Sequence, residues 1–297
     1  MTSVRFMLAL AGSSLALAQA QVVLAQNSAA LAAAAATAPD DDTNQIIVTG
    51  TRVVGRTKLD TASPVDVLSG AALRQQGTTE LSQALAAVAP SVDFPRPSAT
   101  DGTDAIRPIT LRGLSPDETL VLINGVRAHT AALLNINSSV GRGAAAVDLN
   151  TIPTVALETI EVLRDGASAQ YGSDAIAGVV NLRLREARSG GSVSVTYGLY
   201  DTDVSPTNSQ RSVKGEHTLQ ASGWQGFGFG DDGFVTVSAE YLKRQPTNRA
   251  DIDTRPTAGN RVDGRFGDPE VKQYTGWINA GTSLTDHLKA YGWFGYQ

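Results

Sequence analysis

Two spacings of apolar residues divide the chain. From Ser63 to Arg185, short apolar runs alternate with helix-spaced ones, which predicts a mixed α+β globule. Val65 to Leu68 reads as a strand, and Ser69 caps a short helix carrying Ala72 and Leu73 that Gly77 ends. Thr78 is placed to cap a second helix, in which Leu81, Leu85 and Val88 recur at helical spacing until Pro90 stops it. Ile109 to Arg112, Thr119 to Ile123, Thr159 to Leu163 and Val179 to Leu184 are further strands, each bounded by Gly, Asn or Asp. Gly113 and Gly125 permit the positive-φ turns between them.

From Ser192 onward the helical period disappears and apolar residues alternate one by one with small or polar ones. Val193, Val195, Tyr197 and Leu199 do so, then Val235, Val237, Ala239 and Tyr241, and later Leu288, Ala290, Gly292, Phe294 and Tyr296. Five strands are expected, at about 192–200, 213–224, 233–243, 272–283 and 287–297. Their connections alternate in length, with the longest from Arg244 to Val271 and the shortest around Asp286. Period-two alternation with aromatics near strand ends is the pattern of a transmembrane β-barrel, whose apolar face meets lipid. Five strands are fewer than the roughly 8 of the smallest membrane barrel, so a longer barrel is implied.

The N-terminus has a different character. Arg5 precedes an uncharged, Leu- and Ala-rich run from Phe6 to Ala18, with small-x-small sites ending at Ala20 and Ala25. This is the layout of a secretory signal peptide, residues 1–25, and the run falls short of the roughly 20 residues a membrane helix needs. Residues 26–44, Ala-rich and then acidic at Asp40, Asp41 and Asp42, read as a disordered tether. Ile46, Ile47, Val48 and Thr49 then favour extended backbone, suited either to opening the next domain or to adding as a strand to another protein's sheet.

Composition narrows the chemistry. The 297 residues contain no cysteine, so no thiolate nucleophile, thiolate metal site or disulfide framework is available. The net charge of −5 argues against nucleic acid as a partner. His129, His217 and His287 lack the HExxH spacing, and Gly166 to Gln170 misses the nucleophile elbow at its last position. Gly228 to Gly233 fits GxGxxG by spacing, yet Phe234 to Tyr241 alternates as a strand where that fingerprint requires a helix, so these glycines are expected to make a turn. Asp251 and Asp253 read as a solvated loop rather than a cation site. No enzyme, cofactor or metal is expected.

Three segments in order carry a family resemblance: QIIVTGTR (Gln45 to Arg52), ITLRGLSPDETLVLINGVR (Ile109 to Arg127) and LETIEVLRDGASAQYGSDAIAGVVNLRLR (Leu157 to Arg185). Together they resemble the TonB box and plug domain of TonB-dependent outer-membrane receptors. The resemblance implies a TonB box at residues 45–52, a plug at 60–187, and at 190–297 the first strands of a barrel that has about 22 strands in that family. It implies that Gln45, Ile46, Ile47, Val48, Thr49 and Gly50 bind TonB, the inner-membrane energy transducer. Plug arginines in these motifs face glutamates on the inner barrel wall, which makes Arg112 and Arg164 candidate plug–barrel contacts. Glu240 is a possible wall partner, since Val237, Ala239 and Tyr241 would face lipid and turn it inward.

Arg96, Arg127, His129, Asn135, Asn137 and Arg142, on the plug loops the family turns outward, are candidate substrate contacts. The implied protein sits in the outer membrane of a Gram-negative bacterium, plug inside the barrel and N-terminus in the periplasm. It would import a ferric siderophore or similar chelate, or an oligosaccharide, with energy from TonB. A passive structural or adhesive barrel is the rival. The tether of fewer than about 25 residues is too short for a folded signalling module.

Overall fold

A computed structural model of the chain describes Thr49 and residues 64–98, 100, 102–135, 141–255, 257, 259, 261–262 and 264–297. The expected signal peptide, the tether, Asn137 and all of the expected TonB box except Thr49 lie outside the described residues.

The first half builds a five-stranded mixed sheet in the order β1-β6-β7-β4-β5, formed by Val65–Ser69, Leu157–Leu163, Gly178–Leu184, Thr119–Ile123 and Val126–Arg127. Only β4 and β7 run parallel; the other pairs are antiparallel. Helices α1 (Gly70–Gln75) and α2 (Leu81–Val88) follow β1, and β2 (Val92–Asp93) pairs with β3 (Thr110–Leu111) outside the main sheet. The short helix α3, Ser168–Tyr171, lies between β6 and β7. Ser69 caps α1 as expected, its Oγ accepting from the Ala72 N–H at 3.1 Å. Thr78 does not cap α2: the N-cap is Glu80, and the Thr78 hydroxyl donates to the Glu80 carbonyl at 3.1 Å. This displacement matters because the Glu80 side chain is then free to reach away from the helix.

The sheet is buried on both faces, which is why β4 has no polar face to alternate with. Val121, Ile123, Ile160, Val162, Val180 and Leu182 pack one face against Leu73, Leu81 and Leu85 of the helices. Val65, Val67, Leu120, Leu122, Leu163 and Val179 form a smaller cluster on the other, around Ala175. Asn124 and Gly125 make the two-residue β4–β5 turn with φ of 50° and 81°, the double positive φ that a type I′ hairpin demands. Gly178 opens β7 at φ 146°, where a Cβ would sit 2.3 Å from the Leu163 carbonyl oxygen, so no other residue fits there.

The second half is an antiparallel meander in the order β8-β9-β10-β11-β12: Gly191–Val204, Arg211–Phe229, Gly233–Arg244, Val271–Thr285 and Leu288–Tyr296. All five strands stand where alternation placed them, but most run longer. β9 has 19 residues, against the roughly 9 to 11 that cross a bilayer at a tilt. Gly230 lies in the short turn before β10, while Gly228 is still within β9. One face is apolar and exposed, carrying Val193, Val195, Tyr197, Phe227, Val237, Tyr274, Ile278, Phe294 and Tyr296. The other carries Gln220, Thr236, Ser238, Glu240, Thr275 and Asn279, all buried against the first half of the chain. Among the described residues no helix is long and apolar enough to cross a membrane.

Candidate functional site

The two halves meet along a seam whose chemistry changes from one end to the other. At the end nearest the long connection 245–270, the seam is ionic. Glu80 is enclosed and receives three guanidinium groups: Arg96 of the plug loop at 2.7 Å, Arg107 at 3.8 Å, and Arg244 at the end of β10. Arg107 has only 1% of its side chain exposed and also donates to the carbonyls of Asp104 and Ile106, at 2.7 and 3.0 Å. Burial pulls its pKa below the ordinary guanidinium value, while Glu80 and Asp268 oppose that shift. Its second terminal nitrogen reaches Asp268 at 2.9 Å.

Mid-seam, Glu240 accepts from Gln220 Nε2 at 2.9 Å, and the same nitrogen lies 3.2 Å from the Thr79 carbonyl of the plug. Deeper along the wall the contact becomes apolar. Trp277 of β11, stacked on Trp293 with ring centroids 5.6 Å apart, joins the plug's main core. Arg185 lies over the Trp224 ring, 4.4 Å from its centroid, and Asn124 Nδ2 donates to Asn279 Oδ1 at 3.3 Å. A cavity of about 260 Å³ lies beside the tryptophans, lined in part by His129, Asp148, Trp277 and Trp293. A second, of about 500 Å³, opens between Asn124, Arg183 and Glu186 and the wall residues Asn279 and Tyr291.

A separate polar feature occupies the plug's smaller sheet face. Glu161 and Asn181 stand opposite each other in the β6–β7 register, both buried, in an otherwise apolar cluster. Thr49 covers them: its N–H donates to Glu161 Oε2 at 2.8 Å, its hydroxyl bonds the same oxygen, and Asn181 Nδ2 donates to the Thr49 hydroxyl at 3.1 Å. A buried carboxylate needs such donors, so the sheet carries a socket matched to this one residue.

Residues 57–179 match the family model described as the TonB-dependent receptor plug domain. This part of the chain is a plug domain of the TonB-dependent receptor family. A probable TonB-dependent siderophore receptor, PirA of Acinetobacter baumannii, is 38% identical over 93 residues, 31% of this chain and 12% of that protein. The vitamin B12 transporter BtuB of Vibrio vulnificus is 32% identical over 146 residues, 49% of this chain and 21% of that protein. The chain thus spans about a fifth or less of the length of these relatives. Among solved structures, a ferric enterobactin receptor (PfeA) mutant from Pseudomonas aeruginosa superposes with a TM-score of 0.58 at 20% identity, covering 79% of this chain and 33% of that one. The ferric citrate transporter FecA gives a TM-score of 0.53 at 17% identity, covering 80% and 31%. At these identities the likeness establishes the fold: a plug followed by the opening strands of a receptor barrel.

Within this receptor fold the sequence-derived candidates are dispersed. Arg112, at φ 57°, is exposed and donates to the Ile176 carbonyl at 2.6 Å. Arg164 is exposed and pairs with Asp66 of its own plug at 3.0 Å. Neither pairs with Glu240, whose described partner is Gln220. Among the described residues the plug carboxylate Glu80 instead pairs with Arg244 on the wall strand β10, the opposite polarity, while the plug's Arg96 and Arg107 meet Asp268 of the connection 245–270. Arg96 is engaged in that network, and Arg127 pairs with Asp174 on the plug surface. His129 and Arg142 are exposed, while Asn135 is buried within its loop. Asp251 accepts from Asn208 and Ser209, bracing one loop against another.

Asp148 supports Arg107 from below, accepting from the Arg107 and Asn150 N–H groups, each at 3.0 Å. Burial, the larger influence, raises its carboxyl above the ordinary range, and the two N–H bonds pull it part of the way back. The folded plug therefore holds this proton to higher pH than the unfolded chain does. The group's contribution to stability is complete below the unfolded pKa of about 3.9 and is lost as pH rises through the folded value. Asp148→Asn keeps an oxygen for both N–H bonds and has no charge to desolvate. It should be the more stable form at pH 7, with the gap closing as pH falls through the carboxyl range. Denaturant unfolding at neutral and acid pH measures this; equal stability at both would mean that Arg107 fully offsets the burial.

Proposed function

We propose that the full-length protein is an energy-coupled importer of the bacterial outer membrane, with this plug seated in its barrel and the N-terminus on the periplasmic side. The observation that carries the reading is the seating itself: a folded plug closes the polar face of a strand sheet whose opposite face is apolar and exposed. A passive adhesin has no need of a plug with a socket for its own N-terminal segment. Thr49 on Glu161 supports the reading of Gln45 to Gly50 as the TonB-binding strand, held against the plug by its one described residue.

Substrate reaches the plug from outside the cell, and the candidate contacts His129, Arg127 and Arg142 are exposed. The relatives' names point to a ferric siderophore or a corrinoid, and a bulky chelate of that class fits a route along the seam; an oligosaccharide is the alternative load. The test is Ile47→Pro, which removes a ladder N–H from the proposed added strand. Uptake of ferric siderophores by cells carrying the variant should fall to background while surface binding persists. Uptake that continues at the normal rate, or that survives collapse of the proton gradient, would leave the passive barrel as the better reading.

A further inference from the structure

The connection 245–270 between β10 and β11 is folded back on itself. Ile252 bridges Val262, Arg249 N–H donates to the Phe266 carbonyl at 2.7 Å, and the Thr247 N–H donates to the Asp268 carbonyl at 3.1 Å. Its first limb is tied to the first part of β9. Glu216 accepts from Arg249 at 2.6 Å, and Arg211 donates to the Ala250 carbonyl at 2.7 Å. Its second limb is tied to the plug. Asp268 accepts from Arg107 at 2.9 Å and from Arg96 at 3.3 Å, and Arg265 donates to Asp104 at 2.6 Å.

We propose that the connection 245–270 is a strap fastened across the plug by Asp268 and Arg265, so that the strap and the seat of the plug at Glu80 move as a coupled pair. Arg107 is the shared part. Glu80 and the Asp104 and Ile106 carbonyls fix where its guanidinium points, and Asp268 is fastened to what remains of that fork. Moving the plug loop or the start of α2 withdraws this cation from Asp268 and leaves a partly buried carboxylate with only the longer contact to Arg96, which favours an open strap. Linkage requires the converse: opening the strap loosens Arg107 in its seat.

The chain supplies its own reporter. Trypsin cleaves after Arg261, near the tip of the strap, and after Arg265, which is fastened down. In the full-length receptor purified in detergent, both membrane faces are open to protease, so the assay is independent of the transport reading. Cleavage of a briefly opened segment follows the population of the open form. Asp268→Asn should speed the cut after Arg265, relative to the cut after Arg261 in the same molecule, by about tenfold, the factor for losing one charge-assisted hydrogen bond. Asp104→Asn, which unfastens Arg265 alone, should raise the same ratio. Glu80→Gln, which does not touch the strap, should raise it too if seat and strap are coupled. An unchanged ratio in Asp268→Asn overturns the fastening. A raised ratio there with none in Glu80→Gln overturns the coupling.

Discussion

Glu80→Ala is expected to weaken the seating of the plug by about 3 to 5 kcal/mol, the cost of removing one partner from a buried ion pair. The loss is large because Glu80 answers to Arg244 on the wall and Arg107 in the plug at once, with 2% of its side chain exposed. The Nε atoms of Arg107 and Arg244 already lack hydrogen-bond partners, so neither guanidinium has a spare acceptor to turn to. Arg164→Ala is the contrast: its pair with Asp66 is substantially exposed, and such pairs contribute about 0 to 1 kcal/mol. Urea unfolding of the plug inside an intact barrel would measure both. A loss under about 1 kcal/mol for Glu80→Ala would mean that water enters the network and solvates the arginines left behind.

Trp277→Ala should cost a similar amount, about 3 to 5 kcal/mol, by a different mechanism. This wall tryptophan is 8% exposed and belongs to the plug's core, so truncation opens a void where wall and plug share apolar packing. Its partner strand is shaped for it: a Cβ at Gly295 would lie 2.6 Å from the indole ring. The indole N–H has no acceptor, so the loss is one of packing alone, and Trp277→Phe should recover a good part of it. The same unfolding experiment applies, with leakage of large antibiotics as a second readout of a loosened plug. A Trp277→Ala plug as stable as wild type would place the adhesion of the two halves in the ionic end of the seam.

Much of the architecture was legible because local rules decide it. Alternation located β8 to β12, the Ser69 cap located α1, helical spacing located α2, and Gly125 marked a positive-φ turn, each through the conformational preferences of a few neighbouring residues. The inward aim of Glu240 followed from the same parity, which also turns Leu242 and Arg244 inward. Arg244 was therefore available to the same reasoning, and the apolar run around Glu161 could have flagged that carboxylate as a buried group in need of donors.

What the residues alone determined is thus the order of two modules, a mixed α+β plug and then strands with one apolar face, because period, capping and turn chemistry act over a few residues. Only the tertiary structure decided the partners. Arg112 and Arg164 each directly follow a strand, yet one bonds a carbonyl and the other an aspartate of its own plug. The seam instead unites Glu80, Arg107, Arg244 and Asp268, separated by up to 188 positions in the sequence, counted from 80 to 268. Which charge answers which depends on how two sheets come together, and no local spacing encodes that distance.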